Sequence, residues 1–183
     1  MCACYAVVAV SAGLLSSACA PSSYTEPNAG PLAKVRFISY GDEGNRGGGV
    51  TVLRQYDDSD CRTGEREVVS FSASSHFYTR NHKRIGMPMD DPHLSEAQKT
   101  EVLVRANQPF YGIFSAWEVD QSCNVAFSFL PKDSGNYEVS LRWNYRVGSC
   151  NATLSTLDGA SSPSSIALPY GQCAQALDKT HLY

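Results

Sequence analysis

Positive charge is scarce in this chain, where 15 lysines and arginines stand against 18 aspartates and glutamates over 183 residues, a formal net charge of −3. A mildly acidic surface excludes general nucleic-acid binding, which needs a basic face. Catalytic signatures are missing too. No Gly-x-Ser-x-Gly elbow, His-Glu-x-x-His pair or Ser-x-x-Lys occurs, the spacings that bring a nucleophile or a zinc-bound water within reach of its base. The chain therefore reads as noncatalytic, with no cofactor. No apolar run reaches the about 18 residues that a membrane-spanning helix requires.

The longest apolar run is at the start. Residues 5–15, Tyr-Ala-Val-Val-Ala-Val-Ser-Ala-Gly-Leu-Leu, have the length of a signal-peptide core. The residues that close it, Leu15-Ser16-Ser17-Ala18-Cys19, resemble the lipobox of bacterial lipoproteins, in which small residues precede a cysteine that is acylated and becomes the new N-terminus. The resemblance is to small uncharacterised lipoproteins of Gram-negative bacteria. It implies removal of residues 1–18 as a signal peptide, lipid attachment (palmitate among the acyl chains) at Cys19, and a membrane partner reached through that anchor. Ala20, in place of the Asp that resembles an inner-membrane retention signal, implies the outer membrane. The alternative is an ordinary signal peptide cut after Ala18 or Ala20, leaving a soluble periplasmic or secreted protein.

Residues 19–32 hold Pro21, Pro27 and Pro31 and no apolar period. They are expected to be a lipid-anchored tether reaching at most about 45 Å. Residues 33–173 form the expected domain and 174–183 a tail. With Cys2, Cys4 and Cys19 set aside, four cysteines remain: Cys61, Cys123, Cys150 and Cys173. An even number in an exported protein favours two disulfides. No two lie at the two-to-four-residue spacing of structural zinc pairs. If 150–157 and 166–173 form a hairpin, opposed positions sum to 323, which puts Cys150 against Cys173 and leaves Cys61 for Cys123. On that view Cys123 and Cys150 lie on strands separated by a third, about 10 Å apart and beyond disulfide reach.

Alternation of apolar and polar residues marks strands over 33–40, 50–56, 67–73, 100–107, 110–119, 123–130, 137–145, 150–157 and 166–170. The clearest is Tyr137, Val139, Leu141, Trp143 and Tyr145, alternating with Glu138, Ser140, Arg142 and Asn144. The stretch 41–49, with Gly41, Gly44 and Gly47-Gly48-Gly49, reads as a long hairpin loop, and 131–136 as the turn before the return strand. Asp57, Asp58 and Asp60 read as a solvated turn, since their spacing lacks the rest of a calcium loop. About eight strands, no long helix and two disulfides describe an antiparallel β-sandwich; a closed β-barrel is the alternative.

Residues 74–99 follow no steady period. Here Met87, Met89 and His93 are soft ligands that would suit copper in an exported protein, and Arg80, Lys83 and Arg84 would suit an anionic surface. The competing use is a loop packed on the core, with Met87 filling a gap. The expected function is that of a noncatalytic envelope accessory or binding module, presenting loops such as 41–49 and 74–99 to a protein or anionic envelope partner. The alternatives are a periplasmic copper or small-ligand binding protein and a hydrolase of envelope polymers.

Overall fold

The computed structural model describes residues 22–41, 49–72, 82–88, 98–118, 121–144, 148–157 and 166–167. The strands are β1 (Ser22–Ser23), β2 (Leu32–Gly41), β3 (Val50–Tyr56), β4 (Arg66–Ser72), β5 (Lys99–Arg105), β6 (Phe110–Glu118), β7 (Gln121–Phe129), β8 (Asn136–Asn144), β9 (Ser149–Thr156) and β10 (Ile166–Ala167). They form two five-stranded sheets, ordered β1-β4-β3-β6-β7 and β10-β9-β8-β2-β5, packed as an open sandwich and not closed into a barrel. The alternation that marks β8 is the burial of one face, with Tyr137, Val139, Leu141 and Trp143 all entering the core shared by the sheets, whereas Glu67–Ser72 of β4 and Lys99–Val102 of β5 are buried on both faces. Rings dominate its centre, where Phe114 stacks on Phe127 at 5.3 Å and Phe37 meets Phe110 at 5.6 Å.

The sheets are mixed, because β2 pairs parallel with β8 and β1 parallel with β4. Two expected hairpins are therefore crossovers. Strands β2 and β3, on either side of the glycine-rich loop, lie in different sheets, and so do β7 and β8. Period-two patterning says which face of a strand is buried but not which strand lies beside it, and a short link between sheets has the same turn residues as a hairpin.

The cysteine pairing is corrected as well. Cys123 on β7 bonds Cys150 on β9, with Cα atoms 6.2 Å apart. The two cysteines lie in facing sheets, so the disulfide crosses the sandwich and no third strand intervenes. The expected Cys150–Cys173 and Cys61–Cys123 pairs are thereby excluded. The β9–β10 register pairs Ile166 with Leu154 and Ala167 with Thr153, a sum of 320 that is three short of the register expected, and Cys150 lies opposite Trp143. Cys61 is also disulfide-bonded; Cys173 lies outside the described residues.

The supposed tether is docked from Ser22 onward. Ser22 and Ser23 pair with Arg66 and Glu67 at the edge of one sheet, and the Tyr24 N–H donates to Glu67 O at 2.8 Å. The Tyr24 hydroxyl then donates to Leu103 O at 2.8 Å, and the Leu103 N–H to Glu26 Oε1 at 3.2 Å, on edge strand β5 of the other sheet. Residues 22–26 thus form a strap that joins the two sheets and shields edge strands whose backbone would otherwise be open to pairing.

Candidate functional site

Three places gather polar side chains. The first is on the outer face of the β5-β2-β8 sheet, where register sets Arg36 of β2 opposite Glu101 of β5 on one side and Glu138 of β8 on the other. Arg36 alternates with Val35 and Phe37, and Glu101 with Val102 and Val104, a pattern that by itself predicts solvent-facing charges on half-buried strands. Instead they are 1% and 0% exposed, because residues 82–88 run across them. Arg36 donates to Glu101 Oε1 from Nε at 3.1 Å and from Nη2 at 2.9 Å. Its Nη2 also donates to the carbonyls of Met87 at 3.2 Å and Pro88 at 3.1 Å, and its Nη1 to Glu138 Oε2 at 3.4 Å.

Glu101 Oε2 accepts three successive backbone N–H groups, Ile85 at 2.7 Å, Gly86 at 2.9 Å and Met87 at 3.2 Å. Gly86 has φ +75°, a left-handed residue that helps turn its neighbours' donors toward one anion. Burial alone would raise the Glu101 carboxyl; the N–H groups of Ile85 and Met87, the Arg36 guanidinium and the charge of Arg84 outweigh it, and it sits below its ordinary value. A carboxylate so fully hydrogen-bonded has no base strength to spare, so this cluster fastens the 82–88 segment to the sheet.

That segment holds several residues singled out from sequence. Met87 is 5% exposed, packed rather than offered to solvent, and its backbone is held by Glu101 and Arg36. Lys83 pairs with Glu26 of the strap and Arg84 with Glu101 at 3.3 Å, so both cations are engaged within the protein. Met89, His93, Arg80 and Cys19 lie outside the described residues. Among the described residues no group of three His, Cys, Asp or Glu is placed to hold a metal. Asp58 closes its own turn, accepting N–H bonds from Asp60 at 2.9 Å, Arg62 at 3.2 Å and Thr63 at 2.8 Å.

The second place is a cleft of about 500 Å³ at one end of the sandwich, between the strap, the end of β3 and the β5–β6 turn. Tyr24, Tyr56, Arg66 and Arg105 line it, together with the apolar Pro109 and Phe110. Tyr24 is pushed up to about 12 by burial and then by the charge of Glu26, against the opposing pull of Arg66 and Arg105. Tyr56 is likewise pushed up to about 12, by burial and Glu65. Both phenols therefore stay neutral through the physiological range. Arg66 holds Asp57 through two bonds, Nη1 at 2.6 Å and Nη2 at 3.1 Å, and this guanidinium, by hydrogen bond above all, keeps the Asp57 carboxyl below its usual range.

The third is a groove of about 330 Å³ lined by Tyr40, Arg142, Trp143, Asn144 and Asn151, beside Cys150. Arg142 lies over the Tyr40 ring at 4.6 Å. Trp143 Nε1 is buried and has no acceptor among the described residues.

Sequence reasoning missed Arg36 with Glu101 on the sheet face, and Tyr24 with Arg105 in the cleft, because each pair comes together only when the order of strands across the two sheets is known. Compared with protein-family models, curated proteins and solved structures, the chain matches none.

Proposed function

We propose that this protein is an outer-membrane lipoprotein, anchored through Cys19, whose β-sandwich is a noncatalytic binding module for a partner in the envelope. The observation that carries the reading is the run Leu15-Ser16-Ser17-Ala18-Cys19 followed so soon by docked chain: Ser22 is already paired to β4. Three residue steps separate Cys19 from Ser22, at most about 10 Å of extended chain. An acylated Cys19 would hold the strap end of the sandwich against the membrane surface, where a 14-residue free tether would let it range far more widely. Two membrane-binding signals are enough for stable anchoring.

A binding role is supported by what the described residues offer. The most deeply buried charges, Arg36 and Glu101, are consumed by fastening a segment to the sheet, whereas the cleft beside the strap is open and lined by polar side chains. Labelled palmitate fed to expressing cells tests the reading. Label is expected in the wild-type protein and absent from Cys19→Ala, with the variant moving from the membrane to the soluble fraction. An unlabelled wild-type protein would overturn the anchor, leaving a soluble exported protein cut after Ala18 or Ala20.

A further inference from the structure

We propose that the cleft beside the strap binds a small carboxylate carrying an apolar body, with Arg105 as the group that recognises the anion. This goes beyond the envelope reading and stands whether or not Cys19 is acylated. The argument begins with charge. Four charged side chains line the cleft, Glu26, Asp57, Arg66 and Arg105, and three of them are committed. Asp57 and Arg66 hold each other through paired bonds. Glu26 is taken by Lys83 and by the Leu103 N–H. Arg105, at the exposed end of β5, has no hydrogen-bonded acceptor among the described residues, so the cleft keeps one uncompensated cation.

Shape and polarity narrow the ligand. A guanidinium presents a planar fork of donors that matches a carboxylate in two bonds. The Gln108 amide on the same rim makes no hydrogen bond to a described residue and can accept from or donate to a group beside the carboxylate. The apolar surface beside them comes from Pro27, Pro109 and the rings of Tyr24 and Tyr56, since Val104 and Phe110 are 1% and 4% exposed and belong to the core. About 500 Å³ lies in the range of small-molecule sites, enough for one aromatic or branched body but not a long chain. A peptide C-terminus and a free organic acid share this chemistry.

Isothermal titration of the purified full chain distinguishes them. N-acetylphenylalanine and 3-phenylpropionate are expected to bind, while N-acetylphenylalanine amide, which lacks the charge-assisted bond, and inorganic phosphate, which keeps the charge but lacks the apolar body, bind at least about tenfold more weakly. Tighter binding of the acetylated amino acid assigns a peptide terminus, and tighter binding of phenylpropionate a free acid. Arg105→Gln is expected to weaken both acids about tenfold with an unchanged thermal midpoint, and Gln108→Ala to weaken them by a smaller factor. Failure of both acids to bind, equal binding of the amide, or unchanged affinity in both variants would overturn the proposal.

Discussion

Replacing Glu101 is the sharpest test of how the outer face of the β5-β2-β8 sheet is held together. Glu101 Oε1 takes two bonds from Arg36 and Oε2 takes three backbone N–H groups of residues 85–87. Glu101→Gln keeps the shape and one acceptor oxygen but removes the charge that Arg36 faces in the interior. A hydrogen bond to a charged group is worth about 1.5–3 kcal/mol, so the variant should lose about 2–3 kcal/mol. Glu101→Leu leaves the buried guanidinium without its main partner and should lose about 3–5 kcal/mol, a large part of the about 5–15 kcal/mol that stabilises a domain. Urea unfolding followed by tryptophan fluorescence reads this directly, through Trp143 in the core and Trp117, 41% exposed. With a slope of about 2 kcal/mol/M, Glu101→Gln moves the midpoint down by about 1 M. Glu138→Gln is the control, since Glu138 is 21% exposed and meets Arg36 at 3.4 Å; it should lose less than about 1 kcal/mol. Acid supplies a second readout. The Glu101 carboxyl sits below its ordinary 4.5 in the fold, so its contribution is complete above that value and is lost as pH falls through the lower, folded one. A midpoint shift in Glu101→Gln no larger than that of Glu138→Gln would refute the assignment of Glu101 as the fastener.

Other expectations follow from the same geometry. Peptide mapping without reduction should recover Cys123 linked to Cys150, and by parity Cys61 to Cys173; the double variant Cys123→Ser, Cys150→Ser should lose about 3.5 kcal/mol for a closed loop of 27 residues, and a Cys150–Cys173 peptide would contradict the pairing. Gly112→Ala should destabilise by about 1–3 kcal/mol, because the added Cβ falls 2.5 Å from Cζ of the buried Phe127 ring; wild-type stability would mean that this ring has room to move. In an alkaline titration at 295 nm, Tyr24 and Tyr56 should ionise at about 12 rather than 10. The fold prefers their neutral forms, so the stability they supply is whole below pH 10 and falls as pH rises toward 12. A single step near 10 for every tyrosine would contradict that.

Strand positions were legible because burial of one face leaves a period of two in the residues themselves: 50–56 is strand β3 residue for residue, and 137–145 is β8 displaced by one. Neighbour relations were not legible. Nothing local to Phe129 and Tyr137 says that the turn between them crosses from one sheet to the other, their rings meeting at 5.6 Å in the interior. The disulfide expectation failed for the same reason, since it assumed that consecutive strands lie in one sheet. Arg36 and Glu101 looked like solvent-facing charges because the segment that covers them, 82–88, has no period of its own. The cleft was hidden further, since the strap that walls it lies in a stretch, 19–32, that holds Pro21, Pro27 and Pro31 and has the composition of a linker; only the tertiary bonds of Tyr24 and Glu26 reveal that it docks.

The most direct test of the account is the intact mass and N-terminal sequence of the protein isolated from membranes of its host or of a Gram-negative expression strain. A lipoprotein that holds its sandwich at the membrane should begin at Cys19, be blocked to sequencing, and carry the added mass of its acyl chains. An unmodified chain beginning at Cys19 or Pro21, recovered from the soluble fraction, would contradict it.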